Sequence, residues 1–306
     1  MKISCLTGFL VCAFFIFNFC SANAEVLDLN SALRATYTAC VGIDDELADL
    51  KKLAGINTAV TAVGTAAGGA ATVVGLVKAS KDKQIEDLKK RLPDVRESYG
   101  KTNYDKTVAT NNFRAAAKAY SGSTETEIDR LTKQSKNLGN WRTGLMAGAT
   151  ATNIAGAAIA GTSLKKGDIQ GHIDECMSRV SDLRSSIVQA RMNGEDVSEA
   201  QGIVKACSSY TGLDISKIQK QSKGSLVSSL VGTATGLAGT TTSAVANTDK
   251  TRDGDKQKEK NLNTASNVLV GATTVASGTA TVFNALQIST IKKVASAASE
   301  CEGALK

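Results

Sequence analysis

Residues 63–74 read VGTAAGGAATVV, and residues 231–242 read VGTATGLAGTTT, 168 positions later. Neither stretch holds a charge, a histidine or a cysteine. Both are rich in Gly, Ala and Thr, residues that let two backbones approach closely. The similarity extends outward in a fixed order. Ala39–Cys40 precedes the first stretch and Ala206–Cys207 the second, followed by Gly42-Ile43-Asp44 and Gly212-Leu213-Asp214. After a spacer, NLGNWRTGLMAGATAT starts at Asn137 and NLNTASNVLVGATTV at Asn261, and each copy closes on Glu-Cys, at Glu175–Cys176 and Glu300–Cys301. Ordered landmarks of this kind argue for an internal duplication.

Each of the four small-residue segments has a helical period. Leu53, Ile56, Val60, Val63, Ala67, Ala70, Val74 and Val77 alternate spacings of three and four, as do Leu262, Ala265, Leu269, Ala272, Ala276, Thr279, Phe283 and Leu286. Leu138, Trp141, Leu145, Gly148, Thr152, Ala155 and Ile159 follow the same rule, and so, less strongly, do Leu226, Leu230, Thr233, Leu237, Thr240 and Ala244. Such stripes predict amphipathic helices whose apolar face packs inward. The GxxxG pairs Gly64/Gly68, Gly144/Gly148 and Gly232/Gly236 are the candidate sites of close helix packing.

Cysteine spacing supports hairpins. Residues 1–24 have the form of an export signal: Lys2, an apolar stretch, and Ala22-Asn23-Ala24 as a cleavage site. Its removal leaves Cys40, Cys176, Cys207 and Cys301, an even set in an oxidising compartment. The midpoint of Cys207 and Cys301 falls at Gly254, inside Asp-Gly-Asp, and that of Cys40 and Cys176 falls at residue 108. Each arm is about 40 residues, or roughly 60 Å of helix. Pairing within each unit staples each hairpin at its base. The rival pairing, Cys176–Cys207 with Cys40–Cys301, links the two units around the Asn193-Gly194 turn.

The predicted fold is therefore all-α. It has two tandem disulfide-stapled antiparallel hairpins, units 25–193 and 194–306, packed as a four-helix bundle. A tip insertion at about 80–136 distinguishes the first unit. It reads as three short helices, at 82–92 before Pro93, at 104–120, and at 125–136 after Ser-Gly-Ser-Thr. A single Pro and low aromatic content agree with helix.

Charge is local. Residues 78–142 carry 15 basic and 9 acidic side chains, while the rest of the chain beyond the signal is balanced. Lys83, Lys89, Lys90 and Arg91 are the candidate partner-binding residues of the tip, with Tyr99, Tyr104, Phe113 and Tyr120 as a small tip core. Anionic lipid, an acidic polymer or another envelope protein are the expected partners, homo-oligomerisation is open, and export argues against nucleic acid.

Uncharged runs are long: residues 53–77, 143–164, 224–248 and 261–291. Each exceeds the roughly 20 residues a bilayer needs, although Ser, Thr, Gly and Asn keep their hydrophobicity low. A soluble exposed face normally carries Lys and Glu; these helices lack one, so their faces are expected to be covered by the other hairpin, a second protomer or lipid, and a soluble or peripheral bundle is the reading placed ahead of membrane insertion.

Catalytic chemistry is not visible. His172 is the single histidine, and no metal spacing, cofactor motif or phosphate loop accompanies it. Acidic pairs at Asp44–Asp45 and Glu195–Asp196 fall at predicted helix starts, where they favour the helix dipole. The expectation is a non-enzymatic exported protein of the cell envelope or periplasm that presents its basic tip to a partner. The alternative is a membrane-embedded protein whose hairpins insert and oligomerise.

Overall fold

The computed structural model describes residues 28–101, 109–166, 169–254 and 256–306. The expected export signal lies outside them. Among the described residues every regular element is helical: α1 (Leu29–Cys40), α2 (Ile43–Lys101), α3 (Ala109–Lys166), α4 (Ile169–Met192), α5 (Ser198–Cys207), a 3₁₀ turn (Ser208–Tyr210), α6 (Ser216–Ala246), α7 (Asp249–Gly254) and α8 (Lys256–Leu305). Helices α2 and α3 form one long hairpin, and α6 and α8 the other.

Local chemistry sets the starts. Asp28 caps α1, accepting from the Ser31 amide at 2.9 Å and the Ser31 hydroxyl at 2.7 Å. These bonds hold its carboxyl below the usual range. Asp44, Asp45 and Glu46 occupy the first turn of α2, against the positive end of its dipole. The Asp196 carboxylate accepts from the Ser198 amide at 3.0 Å, ahead of α5. Gly42 and Gly212 both take φ of 93°, a left-handed turn that a side chain would strain.

The tip differs from the three short helices expected of it. Helix α2 continues through Pro93 to Lys101, and α3 runs unbroken from Ala109. A proline biases the chain against helix at one position, but a long helix is cooperative and tolerates it. The Ser-Gly-Ser-Thr signal is absorbed as well. The hydroxyls of Ser121, Ser123 and Thr124 donate to carbonyls three or four residues back, so the polar groups are satisfied inside the helix.

The chain divides into two compact units. The first comprises Met1–Leu50, Lys166–Ser216 and Thr290–Lys306. Its core is conventional: Leu47, Leu50, Ile169, Ile173, Leu183, Ile291 and Val294 are all buried. Both cystines lie here.

The second unit, Lys51–Lys165 and Lys217–Ser289, holds the long parts of α2, α3, α6 and α8. Their heptad period is as expected, but its phase is not. On α2 the buried residues are Ala54, Asn57, Thr61, Gly64, Gly68, Ala71, Gly75 and Lys78, each one position beyond the predicted stripe. The same shift occurs on α3, where Gly139, Arg142, Met146, Ala149, Asn153, Gly156 and Ala160 are buried. On α8 it buries Ser266, Val270, Thr273, Ser277, Ala280, Asn284 and Gln287. On α6 it goes one residue back, to Ser225, Ser229, Gly232, Gly236, Gly239 and Ser243. One residue is about 100° of rotation. That rotation takes the large side chains of the stripes off the buried line: Ile56, Val63, Val77, Leu230, Leu237 and Leu286 are exposed, and Leu53, Val60, Leu145 and Leu269 are half-buried.

Candidate functional site

The inward faces of the second unit are small and polar, and they hydrogen-bond to one another. Asn57 Nδ2 on α2 donates to Ser225 Oγ on α6 at 3.2 Å and to Asn284 Oδ1 on α8 at 3.1 Å. Asn153 Nδ2 on α3 donates to Ser277 Oγ on α8 at 2.8 Å. Gln287 Nε2 donates to Ser222 Oγ at 2.7 Å, and Thr281 Oγ1 to Thr61 Oγ1 at 3.0 Å. Beyond these bonds, toward the hairpin ends, sits a short apolar cluster of Ala71, Met146 and Val270. Two buried oxygens, Asn57 Oδ1 and Ser229 Oγ, have no partner among the described residues. Both lie beside Gly156, whose missing side chain leaves them room.

The outward faces are apolar. Val63, Val73 and Leu76 on α2, Trp141 and Ile154 on α3, Val227 and Leu237 on α6, and Val268, Val275 and Val282 on α8 are each 51–69 % exposed. Threonines on these faces turn their hydroxyls back into the helix: Thr279 to the Val275 carbonyl, Thr241 to Leu237, Thr162 to Ala158. They present methyl groups and need no water. Isolated exposed aliphatics are ordinary on a soluble surface. Here exposed apolar side chains recur on all four helices, most densely on α2, α6 and α8, above a polar interior.

Two stretches, Leu29–Arg91 and Lys256–Leu305, are long and apolar enough by length and composition to cross a membrane. Only 28 % and 33 % of their most apolar windows are buried. The core helix of a soluble protein would bury most of such a window.

Close packing concentrates at particular glycines. A Cβ at Gly64 would collide with Thr152, at Gly68 with Thr274, at Gly232 with Asn153, and at Gly236 with Thr150. Gly144 and Gly148 instead face open space, with nothing within 4 Å. On α3 the close approaches fall at Gly139, against Asn247, and at Gly156. Opposite outcomes are expected for alanine. Gly148→Ala should stabilise the helix by up to about 1 kcal/mol. Gly232→Ala should destabilise by about 1–3 kcal/mol through overpacking against Asn153, whose Cγ would lie 2.7 Å away. Thermal loss of the helical circular dichroism signal reads both.

Charges gather at the ends of the uncharged runs. Lys78 is buried, with its ammonium 2.6 Å from Asp82 and 3.5 Å from Glu259; Ser135 Oγ donates to the other oxygen of Asp82. Arg142 is buried too, and its Nε and one terminal nitrogen have no partner among the described residues. Lys83, Lys89, Lys90 and Arg91 are exposed on α2, and Lys90 pairs with Glu86 at 2.7 Å. Tyr120 is exposed rather than part of a tip core. The side chains of Tyr99, Tyr104 and Phe113 lie outside the described set.

In the first unit Cys40 pairs with Cys176, and Cys207 with Cys301. The geometry thus has the pairing within each hairpin and not the rival one. The sulfurs of Cys40, Cys176 and Cys301 lie within 4.8 Å of one another, so the two cystines are neighbours. A sulfur held in a disulfide is not a thiolate ligand. His172 is exposed in a shallow groove, its Nδ1 3.0 Å from Glu46 Oε2, and Cys176 nearby is consumed by its disulfide. No nucleophile–base pair is assembled there among the described residues.

Burial pushes the Tyr210 phenol up, and Glu302 and Asp44 add to the shift. Its hydroxyl is buried with no partner among the described residues. Removing an unsatisfied hydroxyl relieves a desolvation penalty. Tyr210→Phe should leave thermal stability unchanged or raise it by up to about 1 kcal/mol. It should also flatten the loss of stability at alkaline pH. The phenol keeps its proton longer when folded, so its contribution is present below the unfolded value near 10 and lost as pH rises above it.

The interior amides were not singled out by composition. Their signal is position: Asn57, Asn153, Asn284 and Gln287 each sit one residue beyond an apolar stripe, inside an uncharged run. A second signal is the flanks. Lys52 and Lys78, Arg142 and Lys165, Lys223 and Lys250, and Lys260 and Lys292 bracket the four runs with cations.

No protein-family model, curated protein or solved structure matches the chain.

Proposed function

We propose that this is a non-enzymatic, exported protein that embeds the four small-residue helices of its second unit in a lipid bilayer. The observation that carries the reading is the inverted pattern of that unit: amides, hydroxyls and glycines inside, exposed apolar side chains outside on every helix. In water this pattern leaves apolar surface exposed and buries polar groups at a cost. In hydrocarbon both choices are favourable. Small residues and interhelical amide bonds are what hold helices together where lipid is as apolar as leucine. The runs of 25, 22, 25 and 31 uncharged residues are each long enough to cross the hydrocarbon, and their cationic brackets suit the headgroup layers.

Within this reading the helices form a four-helix bundle that arose by duplication. Two hydrogen bonds support that step. Asn57 and Ser225 are 168 residues apart, the offset between the Val63 and Val231 motifs. Asn153 and Ser277 are 124 apart, the offset between the motifs at Asn137 and Asn261. Residues that meet their own counterparts lie on a twofold axis, so both bonds mark a pseudo-twofold between copies. The partner is lipid: hydrocarbon along the helices, and anionic headgroups at Lys83, Lys89, Lys90 and Arg91. A second copy could cover one side of such a bundle, whereas the apolar surface is on all four helices.

Fractionation tests this. Mature protein should pellet with membranes through alkaline carbonate and dissolve only in detergent. Release by osmotic shock without detergent would contradict it.

A further inference from the structure

We infer that the charged ends of the two hairpins, residues 78–142 and 249–260, remain on the cytoplasmic face of the membrane, with their cations against anionic headgroups. The inference rests on the membrane reading above. Four spans divide the chain into five segments that alternate between the two faces: 25–52, 78–142, 165–223, 249–260 and 292–306. Three independent features assign the same faces.

The first is the sequence of residues 1–24, which has the form of an export signal and as such would deliver the segment after residue 24 to the outside. The second is cysteine chemistry. Cys40, Cys176, Cys207 and Cys301 all fall in the three odd-numbered segments, and the structure joins them as two cystines. Disulfides persist on the oxidising side. No cysteine lies in 78–142 or 249–260. The third is the distribution of cations. The two hairpin ends carry 20 Lys and Arg, and the other three segments carry 15 across a longer total length. Loops rich in Lys and Arg stay inside.

This orientation also removes an energetic obstacle. Residues 249–260 hold nine charged side chains in twelve positions. Carrying them through hydrocarbon is expensive. A chain threaded from its signal never moves them across: each hairpin end stays where it was made. The Lys78, Asp82 and Glu259 ion cluster then sits at the inner boundary, next to water and phosphate.

Substituted-cysteine labelling of the full-length, signal-bearing protein tests the assignment. Ser123→Cys and Lys256→Cys place exposed thiols on the two hairpin ends, and Ser181→Cys places one in the 165–223 segment. A membrane-impermeant maleimide applied to intact spheroplasts should label Ser181→Cys and spare the other two. Those should label at least ten-fold more after permeabilisation. Carbonate extraction of the same samples separates the two possible failures. Labelling of Ser123→Cys and Lys256→Cys in intact spheroplasts, with the protein still in the membrane pellet, overturns the orientation and leaves insertion standing. Protein absent from the pellet overturns both. Replacing Lys81, Lys83, Lys89 and Lys90 together by Glu should shift part of the population to the inverted labelling pattern; an unchanged pattern removes the cations from the argument.

Discussion

Lysine at Val63 and Val275 together should drive the protein out of the membrane. Both residues are exposed, 60 % and 69 %, and both lie near the middle of an uncharged run. That makes them a sharp discriminator. On a water-facing helix a surface Val→Lys change is worth within about 0.5 kcal/mol either way, and solubility improves. At the centre of a bilayer each lysine costs about 2.5–3.5 kcal/mol by insertion measurements. These helices have little hydrophobic surplus to absorb two such penalties, because Thr, Ser and Gly fill much of their length. The expected result is loss of carbonate-resistant pelleting, with degraded or soluble product in its place. Val63→Leu with Val275→Leu should pellet like the parent. A double-lysine variant that still pellets fully would mean that these faces do not meet hydrocarbon.

Removing the cystines should have the next largest effect. The bonds close loops with sequence separations of 136 and 94. The chain-entropy account gives about 5 kcal/mol for each loop, and native disulfides typically contribute about 2–5 kcal/mol when lost. Cys40→Ser with Cys176→Ser, or Cys207→Ser with Cys301→Ser, should each lower the thermal midpoint of the detergent-solubilised protein by ten degrees or more. Dithiothreitol should do the same to the parent and nothing further to a variant lacking all four. A non-reducing peptide map should recover the 40–176 and 207–301 peptides as linked pairs. An unchanged midpoint on reduction would show that the first unit's core of Leu47, Ile173, Leu183 and Ile291 suffices alone.

The helices, their hairpin order and the cysteine pairs were legible in the sequence for plain reasons. Heptad spacing survives any solvent, and the midpoint of Cys207 and Cys301 needs only arithmetic. The direction of the helix faces was not legible from the rule used to read them. That rule places the larger aliphatic stripe inward, which holds where water is outside. Here Val63 and Leu286, both on the expected inward stripes, are exposed while Asn57 and Gln287 are buried, so the rule returned a phase wrong by one residue on all four helices. The glycines show the same limit. Gly64 and Gly232 lie at close contacts, but Gly144 and Gly148 match the same spacing and touch nothing, because spacing carries no information about phase. Pro93 and Ser-Gly-Ser-Thr misled for another reason. Both are local signals, and a 59-residue helix and a 58-residue helix carried them along. The buried Arg142 has no sequence signature except its place beside Trp141 at the edge of an uncharged run.

Trp141 offers the most direct measurement. It is the single tryptophan of the chain and is 69 % exposed, at the boundary of the run 143–164. Tryptophan favours the membrane interface. Purified protein reconstituted in vesicles should show Trp141 emission shifted to the blue of its value in denaturant. Lipids brominated near the headgroup end of the acyl chain should quench it strongly, and aqueous iodide weakly. Emission at the wavelength of a water-exposed indole, quenched by iodide and indifferent to brominated lipid, would contradict the claim that the apolar faces of these helices are solvated by hydrocarbon.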